Sequence, residues 1–154
     1  QTCKMKYRKV VFIVIYAKTK KGVEYLLLRR KLHWKGWEFS KGGVEPFETK
    51  KNAVKRELFE ETGLFPLKIK KFNFSGKYEF EKELQEKSEL KGQEFHLYSV
   101  EVKKSKVKFD KREHSGFTWT DFKKAVKILR WPDQKKSLRI VNEGLKEKSH
   151  KTRK

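Results

Sequence analysis

Three glutamates, Glu57, Glu60 and Glu61, have the side-chain type and the spacing to hold a divalent metal ion. Residues 49–62 contain no proline or glycine and are followed by Gly63, which predicts one α-helix with a glycine at its C-terminal end. Because positions i, i+3 and i+4 of a helix share one face, we expect the three carboxylates to converge. Crowded carboxylates repel one another, and a hard cation such as Mg²⁺, which prefers oxygen ligands, would relieve that repulsion.

A solvated helix surface is the alternative, because 40% of the chain is charged. The residues around the glutamates favour the metal site. Residues 42–64, GGVEPFETKKNAVKRELFEETGL, follow the spacing G-x5-E-x7-REL-x-EE-x-GL. Chance would produce the seven Gly, Glu and Arg identities of this pattern, the two leucines left aside, at a given starting point with a probability on the order of 10⁻⁸. The pattern matches the Nudix box at every defining position, and the chain therefore resembles the Nudix hydrolases.

This resemblance implies a fold and a reaction. The fold is of the α/β (α+β) class, a Nudix fold in which a central mixed β-sheet lies between helices as an α/β/α sandwich. The reaction is the metal-dependent hydrolysis of a phosphoanhydride bond in a nucleoside diphosphate that is linked to another group. Glu57, Glu60 and Glu61, together with a backbone carbonyl near Gly42, are expected to hold Mg²⁺ or Mn²⁺.

The resemblance also implies roles for other acidic and basic residues. Glu60, Glu61 or a carboxylate outside the box, for which Glu113 is the candidate, would orient or deprotonate the attacking water. No covalent intermediate with the enzyme is needed. Glu48 and Arg56 are expected to form a structural ion pair that braces the loop against the helix.

Two segments narrow the resemblance to one group of Nudix enzymes. Residues 37–49, WEFSKGGVEPFET, are similar to the W-x-x-P-K-G-H-V-E-P-G-E stretch of the asymmetric diadenosine tetraphosphate (Ap4A) hydrolases. Residues 113–119, EHSGFTW, resemble the end of the same proteins, so that the likeness extends over residues 8–145. For Ap4A as substrate, the resemblance implies release of ATP and AMP.

Three residues depart from the Ap4A hydrolase pattern. Ser40 stands where proline is usual, Gly43 where histidine is common and Phe47 where glycine is common. Ser40 removes the proline ring near the phosphates, and Gly43 removes the histidine imidazole. Phe47 either changes the turn before Glu48 or adds an aromatic wall. Other Nudix substrates are therefore alternatives: an RNA 5′ pyrophosphate, a nucleotide sugar or a damaged nucleoside triphosphate. A non-catalytic nucleotide- or RNA-binding module is a further alternative, against which the intact metal-binding glutamates argue.

Substrate contacts are expected from basic and aromatic residues outside the helix. Lys41 precedes the glycine pair 42–43, where the backbone can approach phosphate closely, and Lys77 is a second candidate for contact with the phosphate chain. Five side chains are candidates for contact with a base: His33, Trp34, Tyr78, Phe80 and Tyr98. Burial or packing within the protein is the alternative for each of them.

The net charge is +21, from 41 Lys and Arg against 20 Asp and Glu, and it favours a polyanionic partner such as a nucleotide polyphosphate. The basic residues are spread over the chain without a nucleic-acid-binding motif, so we expect only weak binding to nucleic acid.

No membrane partner is expected, because the longest apolar run, residues 10–17, is far shorter than the roughly 20 residues of a membrane span. The lone Cys3 excludes an internal disulfide framework and favours a cytoplasmic location. A monomer and a homodimer are both open.

A chain of 154 residues is long enough for one sizeable core, and we expect a single domain over residues 1–145. Residues 146–154 contain no hydrophobic side chain, which is typical of a disordered basic tail. The patterning predicts β-strands at 8–17, 23–30, 67–74, 77–80 and 93–102, a short strand around 37–39, and a mobile polar loop at 81–92. Two further helices are expected at 121–130 and 132–143.

Overall fold

The computed structural model describes the backbone of residues 6–152 and the side chains of residues 6–147. Seven β-strands and four α-helices lie within this part of the chain. The strands are β1 (Lys6–Thr19), β2 (Gly22–Arg30), β3 (Gly36–Glu38), β4 (Ser40–Gly43), β5 (Lys68–Glu79), β6 (Leu90–Glu101) and β7 (His114–Thr120). The helices are α1 (Lys50–Thr62), α2 (Lys82–Ser88), α3 (Phe122–Ile128) and α4 (Pro132–Thr152). Cys3 lies outside the described residues.

The described strands belong to one mixed sheet with β1 at its centre. β1 pairs in parallel with β6, for example Val10 with Phe95, and it pairs antiparallel with β2 and β4. The order β3-β2-β1-β6-β5 forms the main path of the sheet, and β7 pairs with β2. The predicted central mixed sheet is therefore confirmed.

β1 supplies side chains to two hydrophobic cores, because successive residues of a strand point to opposite faces of the sheet. One set packs on the side of α1: Val11, Ile13 and Ile15. The other set packs on the side of α3 and α4: Val10, Phe12, Val14 and Tyr16. All seven side chains are buried. With helices on both faces of the sheet, the predicted α/β/α sandwich is also confirmed.

Helix α1 begins and ends where the sequence predicts. The Oγ1 atom of Thr49 accepts a hydrogen bond from the backbone N–H of Asn52 at 3.1 Å, which makes Thr49 the N-cap. Gly63 has a φ of 73°, a left-handed conformation that glycine adopts without strain, and its N–H donates to the carbonyl of Phe59 at 2.8 Å. The buried face of the helix consists of Ala53, Val54, Leu58, Glu61 and Thr62. One of the three glutamates therefore shares a face with the core residues.

The region between β5 and β6 differs from the prediction. The strands expected at 67–74 and 77–80 form one strand, β5, whose pairing with β6 is irregular between Lys71 and Ser75. The stretch 81–92, expected to be a loop, contains α2 and the start of β6. The side-chain amide of Gln85 donates to the carbonyls of Phe80 at 2.9 Å and Lys91 at 3.0 Å, which closes the connection. Hydrogen bonds from a polar side chain produce no hydrophobic periodicity, so the sequence pattern did not predict this structured connection.

The C-terminal helix is longer than predicted. α4 continues to Thr152, whereas the pattern predicted a helix end at residue 143 and a disordered tail from residue 146. Lysine and glutamate have high helix propensity, so the end of the apolar pattern does not end the helix. None of the described helices is long and apolar enough to cross a membrane.

Leu58→Ala should destabilise the fold by about 3 kcal/mol, because Leu58 is fully buried on the inner face of α1 and its truncation leaves a cavity. The matched control is the neighbouring Phe59→Ala, since Phe59 is 54% exposed and its truncation should cost about 1 kcal/mol or less. Urea unfolding followed by circular dichroism measures both losses. Equal losses at the two positions would contradict the packing described for α1.

Candidate active site

A cavity of about 380 Å³ lies between α1, β4 and the segment that precedes β7, and we name it the acidic cavity. Its carboxylates are Glu57, Glu60, Glu61, Asp110 and Glu113. Its basic side chains are Arg8, Arg30 and Lys41. Gly42 also lines it. The structure thus brings together the three predicted glutamates of α1, the glycine and lysine of the loop, and the predicted glutamate outside the box.

Glu57 lies over Gly42, and this contact depends on the missing side chain of the glycine. A Cβ atom at position 42 would lie 2.0 Å from Cδ of Glu57. Burial raises the pKa of the Glu57 carboxyl, and the hydrogen bond from Arg56 opposes that rise. The glycine therefore brings a partly desolvated carboxylate of the helix directly onto the loop backbone.

Arg56 contacts the loop and two of the glutamates at once. Its Nε and Nη2 atoms each donate to one oxygen of Glu48 at 2.8 Å, and Nη2 also donates to the carbonyl of Gly43 at 2.8 Å. Its Nη1 donates to Glu57 at 2.8 Å and to Glu60 at 3.3 Å. The hydrogen bonds from Arg56 and a loop N–H lower the pKa of Glu48 to about 2. The structure thus joins Glu48 to Arg56 and places both behind the acidic cavity.

Ser40, which departs from the Ap4A hydrolase pattern, has a defined contact in the site. Its Oγ donates a hydrogen bond to Oε2 of Glu61 at 2.8 Å, and both residues are buried. Burial and the nearby carboxylates of Glu57, Glu38 and Glu113 raise the pKa of Glu61 well above its ordinary value, whereas the Ser40 hydroxyl lowers it. The hydroxyl therefore supplies Glu61 with a hydrogen bond that a proline could not donate.

The three glutamates of α1 line one cavity but do not meet at one point. Within the described residues, no three Asp, Glu, His or Cys side chains are placed together as metal ligands. Arg56 binds Glu57 and Glu60, and the Ser40 hydroxyl binds Glu61, so the convergence expected from helix geometry is incomplete. The residues present nevertheless suit a hard divalent cation, because their ligating atoms are oxygens and their mutual repulsion favours a positive charge between them.

Glu113 has a fixed backbone at the edge of the acidic cavity. Its carbonyl accepts hydrogen bonds from the N–H groups of Lys31 at 2.9 Å and Leu32 at 3.3 Å. Its carboxylate lies 3.9 Å from Nη1 of Arg30, and its side chain is 38% exposed. A water molecule can therefore reach this carboxylate.

A buried ion cluster beside the cavity holds two of its basic side chains. Glu38 and His114 are each 1% exposed, and Nε2 of His114 lies 2.8 Å from Oε2 of Glu38. Arg30 Nη1 donates to the same oxygen at 3.3 Å. Lys41 Nζ lies 3.8 Å from Oε1 of Glu38. Two buried atoms, Oε1 of Glu38 and Nδ1 of His114, have no hydrogen-bond partner among the described residues.

A second cavity, of about 300 Å³, is lined largely by rings, and we name it the aromatic cavity. Its walls include Phe12, Trp34, Tyr78 and Trp131. Trp34 and Trp131 meet edge to face, with ring centroids 5.3 Å apart. Lys41 lines both cavities. A flat ring bound in the aromatic cavity would therefore lie beside the cavity that holds the carboxylates.

Of the predicted substrate contacts, only Trp34, Lys41 and Tyr78 line these cavities. The others line neither: His33, Lys77, Phe80 and Tyr98. Tyr98 is 5% exposed and belongs to the core on the α1 side, so it is not available to stack on a base. Lys77 Nζ lies 3.9 Å from a carboxylate oxygen of Glu94. Both faces of β6 carry core residues, Leu97 on the side of α3 and α4 and Tyr98 on the side of α1, and the sequence pattern alone did not show that Tyr98 is buried.

Phe47 preserves the turn before Glu48 and does not form an aromatic wall. Its φ of 65° lies in the left-handed region, which glycine adopts with less strain, and its ring is fully exposed. The backbone N–H of Glu48 donates to the carbonyl of Glu45 at 3.1 Å and closes the turn. Phe47 therefore occupies a backbone conformation that favours glycine, and its side chain does not line the acidic cavity.

Four residues of the two cavities and the buried ion cluster were not predicted from the sequence: Arg8, Arg30, Glu38 and Trp131. The departure at Gly43 was the available signal for Arg8, because a Cβ at that position would lie 2.4 Å from Nη2 of Arg8. The other three had no signal of this kind, since strand ends and a buried charge pair leave no periodic pattern.

Known proteins share this architecture. The family profile described as NUDIX domain matches residues 6–141. Similar solved structures include a C. elegans Ap4A hydrolase (TM-score 0.74, 23% identity, 91% of this chain and 98% of that chain). They also include the E. coli dihydroneopterin triphosphate pyrophosphohydrolase (TM-score 0.69, 20% identity, coverage 88% and 95%). A third is the MutT protein from Methanosarcina mazei Go1 (TM-score 0.63, 25% identity, coverage 94% and 99%).

The chain belongs to the Nudix family, because the family profile extends over most of its length. Membership of this family supports the assignment of the chain as a Nudix hydrolase that acts on a nucleotide derivative. Nudix hydrolases generally use divalent metal ions such as Mg²⁺ or Mn²⁺, which agrees with the oxygen-rich lining of the acidic cavity.

Glu48→Gln should lower the free energy of unfolding mainly above pH 4.5, the ordinary pKa of the group. Arg56 lowers the folded-state pKa of Glu48 to about 2, so the ionised carboxylate stabilises the fold above the unfolded pKa. This contribution is lost as the pH falls toward the folded pKa. Urea unfolding of parent and variant across that range measures the difference, which should shrink toward acid.

The control for this pH series is Glu143→Gln, because Glu143 is 69% exposed and its pairing with Lys146 at 3.8 Å is a surface contact. It should change the free energy of unfolding little at any pH in the series. A loss at Glu48→Gln that stays constant down to acid would contradict the stabilising role of the Arg56 contact.

Proposed function

We propose that this Nudix protein hydrolyses a phosphoanhydride bond of diadenosine tetraphosphate and releases ATP and AMP. The observation that carries the proposal is the junction of the two cavities at Lys41. The acidic cavity offers carboxylates for metal-bound phosphates, and the aromatic cavity offers flat walls for a base. A dinucleoside polyphosphate joins a base to a long phosphate chain, so one molecule would occupy both cavities.

The glutamates of α1 are the proposed metal ligands. Glu57, Glu60 and Glu61, with a carbonyl near Gly42, would hold Mg²⁺ or Mn²⁺. The bound metal would polarise the substrate phosphates and lower the pKa of an attacking water. In this proposal Arg56 keeps Glu57 and Glu60 at the loop through its hydrogen bonds of 2.8 Å and 3.3 Å.

Glu113, Glu60 and Glu61 are the candidates for orienting the attacking water and accepting its proton. Their contacts favour Glu113. Glu60 accepts a hydrogen bond from Arg56, and Glu61 is 9% exposed and accepts one from Ser40. Glu113 has a fixed backbone, and the nearest basic group to its carboxylate among the described residues is Arg30, at 3.9 Å. We therefore assign the proton-accepting role to Glu113.

Lys41 is the proposed contact for the phosphate chain. Its side chain is 30% exposed, and Glu38 holds its ammonium at 3.8 Å on the border of both cavities. The base would lie against Trp34, Trp131 or Tyr78 in the aromatic cavity. Stacking of a base on an aromatic side chain contributes about 1–3 kcal/mol, so these walls would add affinity with little demand on base identity.

The alternative functions predicted from the sequence are the other possible results of an activity assay. An RNA 5′ pyrophosphate would exploit the net charge of +21, since a basic protein attracts a polyanion at low salt. A nucleotide sugar or a damaged nucleoside triphosphate would use the same carboxylates. A binding module without turnover is the last alternative. A cytoplasmic location and a monomeric or homodimeric state stay predictions.

Incubation with diadenosine tetraphosphate and Mg²⁺ should produce ATP and AMP in equal amounts, separated by anion-exchange chromatography. EDTA should abolish the reaction, and Glu57→Gln should slow it by about 100-fold or more, because the variant loses a charged oxygen ligand. Glu143→Gln is the matched control, since it removes the same charge from an exposed position on α4.

The same assay should contain 5′-triphosphorylated RNA, ADP-ribose and 8-oxo-dGTP. If diadenosine tetraphosphate stays intact while another compound is cleaved, the substrate assignment is wrong and the Nudix hydrolase class stands. If no compound is cleaved with Mg²⁺ or Mn²⁺, the substrate assignment is wrong and a binding module becomes the favoured alternative.

Trp131→Ala should raise KM for diadenosine tetraphosphate by about tenfold with a smaller change in kcat, because the variant loses a wall of the aromatic cavity. Phe65→Ala is the control, since this ring is 73% exposed and lines neither cavity. Steady-state kinetics measure both parameters. An unchanged KM in Trp131→Ala would show that the base does not bind in the aromatic cavity.

A further inference from the structure

Among the described residues, Arg8 is the one basic side chain of the acidic cavity that has no acidic partner. Arg30 lies 3.3 Å from Glu38, and Lys41 lies 3.8 Å from the same carboxylate. Among the described residues, no carboxylate lies within 4.0 Å of the Arg8 guanidinium. Arg8 is also exposed, near the start of β1. Its positive charge is therefore available to an anion that enters the cavity.

The guanidinium of Arg8 occupies the space that a side chain at position 43 would fill. A Cβ atom on Gly43 would lie 2.4 Å from Nη2 of Arg8 and 2.8 Å from both Cζ and Nε. The backbone of Gly43 is fixed independently, because the residue pairs with Val10 of β1 and its carbonyl accepts a hydrogen bond from Arg56. Only glycine at this position leaves room for Arg8 where it lies.

Arg8 also lies toward the aromatic cavity. Gln93 lines the acidic cavity with Arg8, and its Oε1 accepts a hydrogen bond from the hydroxyl of Tyr78, which lines the aromatic cavity. Burial raises the pKa of Tyr78, and the positive charge of Arg8 opposes that rise. A phosphate bound by Arg8 would therefore lie between the carboxylates and a base.

We propose that Arg8 is a phosphate-binding residue of this site and that Gly43 is the residue that makes room for it. A planar guanidinium can donate two parallel hydrogen bonds to a phosphate, which an ammonium cannot do. In this chain Arg8 of β1 takes the space at position 43 that a histidine side chain would fill in the Ap4A hydrolase pattern. The inference rests on the proposed function for the identity of the substrate.

The test is titration calorimetry with α,β-methylene-ADP and Mg²⁺, because the methylene bridge prevents hydrolysis of the probe. Arg8→Met should weaken binding by about tenfold, the usual scale for one charge-assisted contact at an exposed site. Gly43→Ala should weaken it to a similar extent by displacing the guanidinium, with little effect on Tm, because the added Cβ meets only the flexible end of Arg8. The double variant should bind no more weakly than either single variant.

Lys9→Met is the matched control, since Lys9 is the next residue of β1, is exposed and does not line the acidic cavity. It removes the same charge and should change the affinity by less than about twofold. Three results would each overturn the inference: no binding of the probe by the parent, an unchanged affinity in Arg8→Met, and equal losses in Arg8→Met and Lys9→Met. Additive losses in the double variant would overturn the role of Gly43.

These results are separable from a failure of the proposed function. If the parent binds the probe through Arg8 but does not release ATP and AMP from diadenosine tetraphosphate, the substrate assignment fails and the phosphate contact stands. If it releases both products while Arg8→Met keeps the affinity of the parent, the contact fails and the substrate assignment stands.

Discussion

The guanidinium of Arg56 is the contact on which the rest of the candidate site depends. It joins the loop, through Glu48 and the carbonyl of Gly43, to the helix, through Glu57 and Glu60. Four of these hydrogen bonds are 2.8 Å long, so separation of loop and helix would leave several charged groups without partners. The positions of the carboxylates in the acidic cavity therefore follow from an ion pair that lies behind them.

Charge balance is the second constraint on this region. Five carboxylates line the acidic cavity, and the buried Glu38 lies beside it. Glu38 pairs with Arg30 and Lys41, and among the described residues neither cation lies within 4.0 Å of a glutamate of α1. A divalent cation would relieve the remaining repulsion, and a phosphate chain would follow it into the cavity. Arg8 lines the same acidic cavity and has no carboxylate within 4.0 Å among the described residues.

The sequence was sufficient for those parts of the molecule that depend on spacing along the chain. The box at residues 42–64 predicted α1 and the glutamates of the cavity, because helix periodicity relates those positions directly. It did not predict that Arg30, Glu38 and His114 form one buried cluster, since three separate segments bring them together. Tyr98 was misassigned for a related reason: the alternation of β6 is visible, but which of its faces packs on α1 is a tertiary fact.

The central claim is that the acidic cavity binds a divalent metal ion, and paramagnetic broadening by Mn²⁺ of backbone amide NMR signals tests it most directly. We expect substoichiometric Mn²⁺ to broaden the signals of Gly42, Gly43 and residues 57–61 first, and we expect Glu57→Gln to reduce that broadening. The amide of Gly144, on α4, serves as the remote reference. Equal broadening of Gly144 and the cavity residues, or broadening that is unchanged in Glu57→Gln, would contradict a metal site formed by the glutamates of α1.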